Sequence, residues 1–107
     1  YNYGSFGSPV GRALGIGVWL EMLARIKKEY ITTSHSSINS TLDSNPNTFP
    51  LDQKIYPDFT HDFMIWGVLA AMSLDYFRKP LPLSFPPPAT RRFRLGDVTP
   101  YAARFAV

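Results

Sequence analysis

The sequence predicts an α/β chain, and three observations predict it. Leu14, Gly15, Val18, Trp19, Met22, Leu23, Ile26 and Tyr30 recur at helical spacing. Residues 55–60 form a short strand-like run, with Ile55 and Phe59 on one face and Asp58 on the other. That run leads into the apolar stretch 63–74, which suits a helix covered on most sides. A last alternating segment, 98–107, sets Tyr101, Ala103 and Phe105 against Ala102, Arg104 and Ala106 and reads as a second strand.

A chain of 107 residues makes one small domain rather than two. Its apolar fraction of 45% predicts a packed core. The net charge of +3 is too mild for the basic stripe of a nucleic-acid binder, so no nucleic-acid partner is expected. Residues 63–74 fall well short of the roughly 20 residues a membrane helix needs, so no membrane partner is expected either. The lack of cysteine leans towards a reducing compartment. Against it stands the glycosylation sequon Asn39-Ser40-Thr41, which places Asn39 as a sugar acceptor in a secreted protein. The two signals agree if the chain is an excerpt of a longer protein. The opening Tyr1-Asn2-Tyr3-Gly4, with no initiator Met and no signal segment, fits that expectation.

The first helix is expected over 11–30, with Ser8 as N-cap and Pro9 as a first helical residue. Gly15 and Gly17 weaken its early turns unless a backbone or ligand comes close there, and close helix packing is the preferred reason. A polar loop is expected over 31–54. Twelve of the seventeen residues 32–48 are Ser, Thr or Asn, too polar for a core element. Leu42 and Phe49-Pro50-Leu51 are its expected anchors. Pro57 puts the strand 55–60 at a start or an edge. A buried helix is expected over 62–77 with Asp62 as its N-cap. Residues 78–97 are expected to be a Pro-rich loop, and no two of its prolines have PxxP spacing, so an SH3-type ligand is not expected. Arg91-Arg92-Phe93-Arg94 reads as a solvated basic face.

Chemistry concentrates at His61-Asp62, where the strand turns into the helix. A helix N-terminus presents free N–H groups and partial positive charge, which suits an anion such as phosphate. A histidine there can donate a hydrogen bond to a phosphate oxygen. Cleavage of a phosphate monoester expels an alkoxide, which leaves readily only when an acid protonates it. Asp62 can do this when neutral, and a nearby phosphate, partial burial and acidic pH favour that form against the helix end. Read from these two residues alone, the pair is more often a helix cap beside a satisfied buried histidine, because a His-Asp dipeptide is unspecific.

Several segments in order resemble the histidine acid phosphatases, in particular their fungal phytase and acid phosphatase branch. Residues 41–51, Thr-Leu-Asp-Ser-Asn-Pro-Asn-Thr-Phe-Pro-Leu, resemble the stretch before that family's second catalytic motif. Tyr56-Pro57-Asp58-Phe59-Thr60-His61-Asp62 resembles the motif with its leading strand. Residues 11–26 are similar to the helix before the polar loop. Residues 98–105 are similar to the strand carrying a Pro–aromatic–Ala–x–Arg pattern. The resemblance implies a histidine-phosphatase, phosphoglycerate-mutase-like α/β/α sandwich, of which residues 1–107 are a later portion. It implies a secreted acid phosphatase acting through a phosphohistidine, with phytate among the candidate substrates and with no cofactor or metal. His61 would bind phosphate and Asp62 would be the general acid. The family's Arg-His-Gly-x-Arg-x-Pro nucleophile motif is absent from these residues, and His35, in Ser34-His35-Ser36, does not replace it. A companion chain, or a missing N-terminal part, is therefore the expected partner. Phe63 stands where the branch commonly has Asn. That departure leaves an alternative: a weakened member that binds phosphorylated ligands without turnover.

Overall fold

The computed structural model describes residues 8–74, 84–91 and 94–107. Four helices follow one another: α1 over Pro9–Lys27, α2 over Ser40–Asp43, α3 over Asp62–Ala71 and α4 over Leu95–Val98. Ser8 caps α1 by accepting the Val10 N–H at 3.2 Å, and Pro9 takes the first turn, where its missing N–H costs nothing. The helix stops three residues before the expected Tyr30. Lys28 adopts a left-handed conformation (φ 59°), and the N–H groups of Lys28 and Glu29 both turn back to the Ala24 carbonyl. That closure satisfies an orphan carbonyl of the last turn.

α1 and α3 are the packed pair. The residues α1 buries are Gly11, Gly15, Gly17 and Ala24, not the bulky apolar stripe: Leu14 and Ile26 are 42% and 54% exposed. Small residues win this face because backbone rests on backbone. A Cβ on Gly15 would lie 1.9 Å from the Gly67 carbonyl oxygen, and one on Gly17 would lie 2.7 Å from the Ser37 carbonyl oxygen. On α3, Trp66, Leu69 and Ala70 form a buried cluster, with Leu95, Val98 and Phe105 folded back against it. A second cluster joins Ala24, Phe49 and Leu51.

The polar stretch 31–54 is more structured than a loop. His35 and Ile38 form an antiparallel bridge, and α2 follows, capped by Asn39. The Thr48 hydroxyl donates to the Leu42 carbonyl at 2.6 Å, and the Phe49 N–H reaches the Asn45 carbonyl at 2.8 Å. Phe49 and Leu51 are buried as anchors, but Leu42 is 49% exposed and Ile38 is the third anchor.

Three further expectations need correction. Residues 55–60 form no strand, because a strand's N–H and C=O groups need a neighbour and none of the described residues supplies one. Ile55 and Phe59 are accordingly 78% and 95% exposed. The helix expected over 62–77 ends at Ala71, and Ser73 turns left-handed just after it (φ 56°); positions 75–77 lie outside the described residues. Residues 98–107 form no strand either. α4 ends at Val98, and a turn follows in which the Ala103 N–H meets the Pro100 carbonyl and Ala102 takes φ 60°. Within the expected Pro-rich loop 78–97, residues 78–83 and 92–93, with them Arg92 and Phe93, are outside the described part. Residues 95–97 are helical. Among the described residues the His35–Ile38 bridge is the only β pairing, so helices alone build this part of the α/β chain.

Candidate functional site

His61 and Asp62 stand together at the start of α3, and the packing of Gly67 on Gly15 holds that helix against α1. The helix begins one residue earlier than a cap at Asp62 requires. His61 occupies the N-cap position with an extended backbone and no side-chain cap bond, and Asp62 is the first helical residue. The Asp62 Oδ1 accepts the Phe63 N–H at 2.8 Å, so the carboxylate satisfies one of the orphan donors of that end. Both side chains are exposed. The His61 ring stacks on Phe63, with centroids 5.7 Å apart and planes inclined by 15°. An exposed imidazole and an exposed carboxyl at the positive end of a ten-residue helix can hold an anion and pass it a proton.

Asn39 lies elsewhere, at the start of α2. Its Oδ1 accepts the Thr41 N–H at 3.1 Å, and the side chain is exposed. The Ser34 hydroxyl accepts the Ser40 N–H beside it.

The run leading into His61 is fastened by groups that the sequence does not single out. The Arg25 guanidinium meets the Asp58 carboxylate at 2.5 Å and lies 5.2 Å over the Phe49 ring and 5.4 Å over the Tyr56 ring. Lys28 donates to the Tyr56 hydroxyl at 3.1 Å and sits 5.1 Å over the same ring. The Gln53 N–H donates to that hydroxyl as well, at 3.1 Å. Arg25 and Asp58 are 33 positions apart, and no local pattern announces such a pair. Glu21 faces the same cluster. Burial raises its carboxyl above the ordinary value, Asp43 and Asp58 push the same way, and Arg25 opposes them. No group of three or more metal-ligating side chains converges among the described residues, and no helix there is long and apolar enough to cross a membrane.

A family model described as Histidine phosphatase superfamily (branch 2) matches residues 1–107. Phytase A of Emericella nidulans is 47% identical over 81 residues, covering 76% of this chain and 17% of the relative. Phytase A of Aspergillus awamori is 38% identical over 109 residues, covering all of this chain and 23% of the relative. Phytase A of Arthroderma benhamiae is 34% identical, covering all of this chain and 22% of the relative. The chain thus spans less than a quarter of the length of these curated relatives. No solved structure matches it significantly.

Proposed function

The chain belongs to the histidine phosphatase superfamily, branch 2, and from that premise we propose that it forms part of a secreted phosphate monoester hydrolase with phytate among its substrates. Membership implies an α/β fold. In this reading the sheet of the α/β/α sandwich is supplied by the rest of the enzyme. The same missing part, or a companion chain, brings the nucleophilic histidine. The reading is carried by one observation: a His-Asp pair at a helix N-terminus, in a chain similar along its whole length to proteins named Phytase A.

Each residue then has one task. The attacking imidazole forms an N–P bond as the P–O bond to the leaving alkoxide breaks, giving a phosphohistidine. His61 donates a hydrogen bond to a phosphate oxygen at the positive end of α3. Asp62, protonated at the acidic working pH, delivers its proton to the departing alkoxide and is left as carboxylate. That carboxylate can then accept a proton from the water that hydrolyses the phosphohistidine, which restores the acid. Asn39 carries an N-linked glycan, and its exposure suits one.

The chain's surface supports the need for further chain around it. It exposes 7900 Å², against about 6,000 Å² for a self-contained monomer of this mass. Its radius of gyration is 15.6 Å, against about 13 Å for a compact domain of this length.

The test is turnover of p-nitrophenyl phosphate by the intact protein at acidic pH, with activity falling as the pH rises well above about 4, the ordinary carboxylic range. Asp62→Asn is expected to lower kcat by about 10²–10⁴-fold, and an unchanged kcat would refute the general-acid role. A second reading, phosphoryl-ligand binding without turnover, draws on Phe63, whose ring lies against His61 where the branch carries a polar side chain. It requires phosphate binding with no turnover at any pH, and affinity indifferent to Asp62→Asn.

A further inference from the structure

Among the described residues, the backbone of 50–60 makes no backbone–backbone hydrogen bond. Its course is therefore set by side chains, and those side chains converge on two cations of α1. Arg25 is bound on three sides at once: by the Asp58 carboxylate, by the face of Phe49 and by the face of Tyr56. Phe49 is itself buried, 5% exposed, so one wall of that slot is anchored in the core beside Ala24. The Arg25 side chain is only 19% exposed, which strengthens both its ion pair and its hold on the rings. Lys28, one turn on, holds Tyr56 as well, through ring and hydroxyl, and its ammonium lies 3.5 Å from the Gln53 carbonyl. Asp58 is three residues from His61, about 10 Å of fully extended chain. A loose Asp58 therefore means a loose approach to the candidate site.

We propose that Arg25 is a positioning residue for the His61-Asp62 site, clamping residues 49–58 onto the C-terminal end of α1 so that the two side chains meet substrate in one pose. The clamp touches neither phosphate nor leaving group. It acts through Asp58 and Tyr56 on the chain that carries the reacting residues. Planarity is essential to the part, because a guanidinium can stack between two rings while pairing edge-on with a carboxylate, and an ammonium cannot do both. The catalytic consequence rests on the phosphatase reading; the clamp itself does not.

The experiment uses the intact protein and reads two quantities. The rate of trypsin cleavage after Lys54, read by mass, reports the clamp whether or not the protein has activity, because a loosened segment is cut faster. Steady-state kinetics with p-nitrophenyl phosphate report its consequence. Arg25→Ala is expected to speed cleavage after Lys54 at least about tenfold while amide exchange at Trp66–Ala70 stays slow. It is also expected to lower kcat about 10–100-fold with KM within about threefold, the scale on which small misplacements act. Arg25→Lys should recover part of kcat, because it restores charge without the stack. If Arg25→Ala fails to fold, Asp58→Asn, at a half-exposed carboxylate, is read in its place with the same expected directions. An unchanged cleavage rate overturns the clamp, and faster cleavage with unchanged kcat overturns its positioning role. An inactive parent protein would sink the phosphatase reading alone, and the cleavage result would then decide the clamp.

Discussion

Glu21 lies one helical turn before Arg25 on α1, half-buried, with Asp43 and Asp58 nearby. Burial is the first reason its carboxyl binds a proton more tightly in the folded chain, the repulsion of Asp43 is the second, and Arg25 only partly offsets them. A raised folded value means that the carboxyl's stabilising contribution is complete below its unfolded value near 4.5 and is lost as pH rises through the folded value. Glu21→Gln, neutral throughout, is therefore expected to raise the melting temperature relative to the parent at pH 7 and to leave it nearly level at pH 4. Thermal melts across that range check this, and an increment independent of pH would refute it. At this scale His61, Asp62 and Asn39 were legible as candidates because each belongs to a short local motif. The partners of Glu21 and Arg25 were not legible, since they come from α2 and from 49–58, where sequence distance hides spatial contact.

At the scale of elements, the α1–α3 crossing is decided by two glycines of unequal standing. A methyl on Gly15 would enter the backbone of Gly67 at 1.9 Å, which no rotamer change relieves. A methyl on Gly67 would find its nearest neighbour at 3.5 Å, an ordinary contact. Gly15→Ala is thus expected to destabilise by about 3 kcal/mol or more, the upper range for overpacking. Gly67→Ala is expected to stay within about 1 kcal/mol of the parent, because Ala is the better helix former. Chemical denaturation of both variants checks the asymmetry, and equal costs would contradict it. The sequence already offered close packing as the reason for Gly15, and Ser8-Pro9 marked the start of α1, since caps and glycines act within a few residues. It could not name Gly67. Nor could it warn that the alternating runs 55–60 and 98–107 lack ladder partners, because strand pairing is a property of distant chain. The bulky stripe of α1 misled for a related reason: periodicity measures hydrophobicity, whereas close backbone contact selects for small size.

Across the whole molecule, apolar side chains stand in water in number. Ile55, Phe59, Phe85 and Tyr101 are each more than three-fifths exposed. The 107 residues alone are therefore expected to bind a dye of exposed apolar surface such as ANS and to lack phosphatase activity, whereas the intact protein should do the reverse. Dye fluorescence of the two preparations tests this, and a non-binding isolated chain would contradict the proposed need for further chain. The glycine crossing also bears on the molecule at large. Where two helices touch through bare backbone, few side-chain ridges interlock to set their mutual angle, and Leu95, Val98 and Phe105, packed against the Trp66 cluster of α3, share in setting it. Asp62 sits five residues out from Gly67, a lever of about 7.5 Å. A swivel of about ten degrees would carry its carboxyl roughly 1.3 Å, a displacement that would matter to the proposed proton delivery. Substitutions far from position 62 that merely retune this hinge are thus a route by which relatives of this chain could diverge in rate while keeping every reacting group.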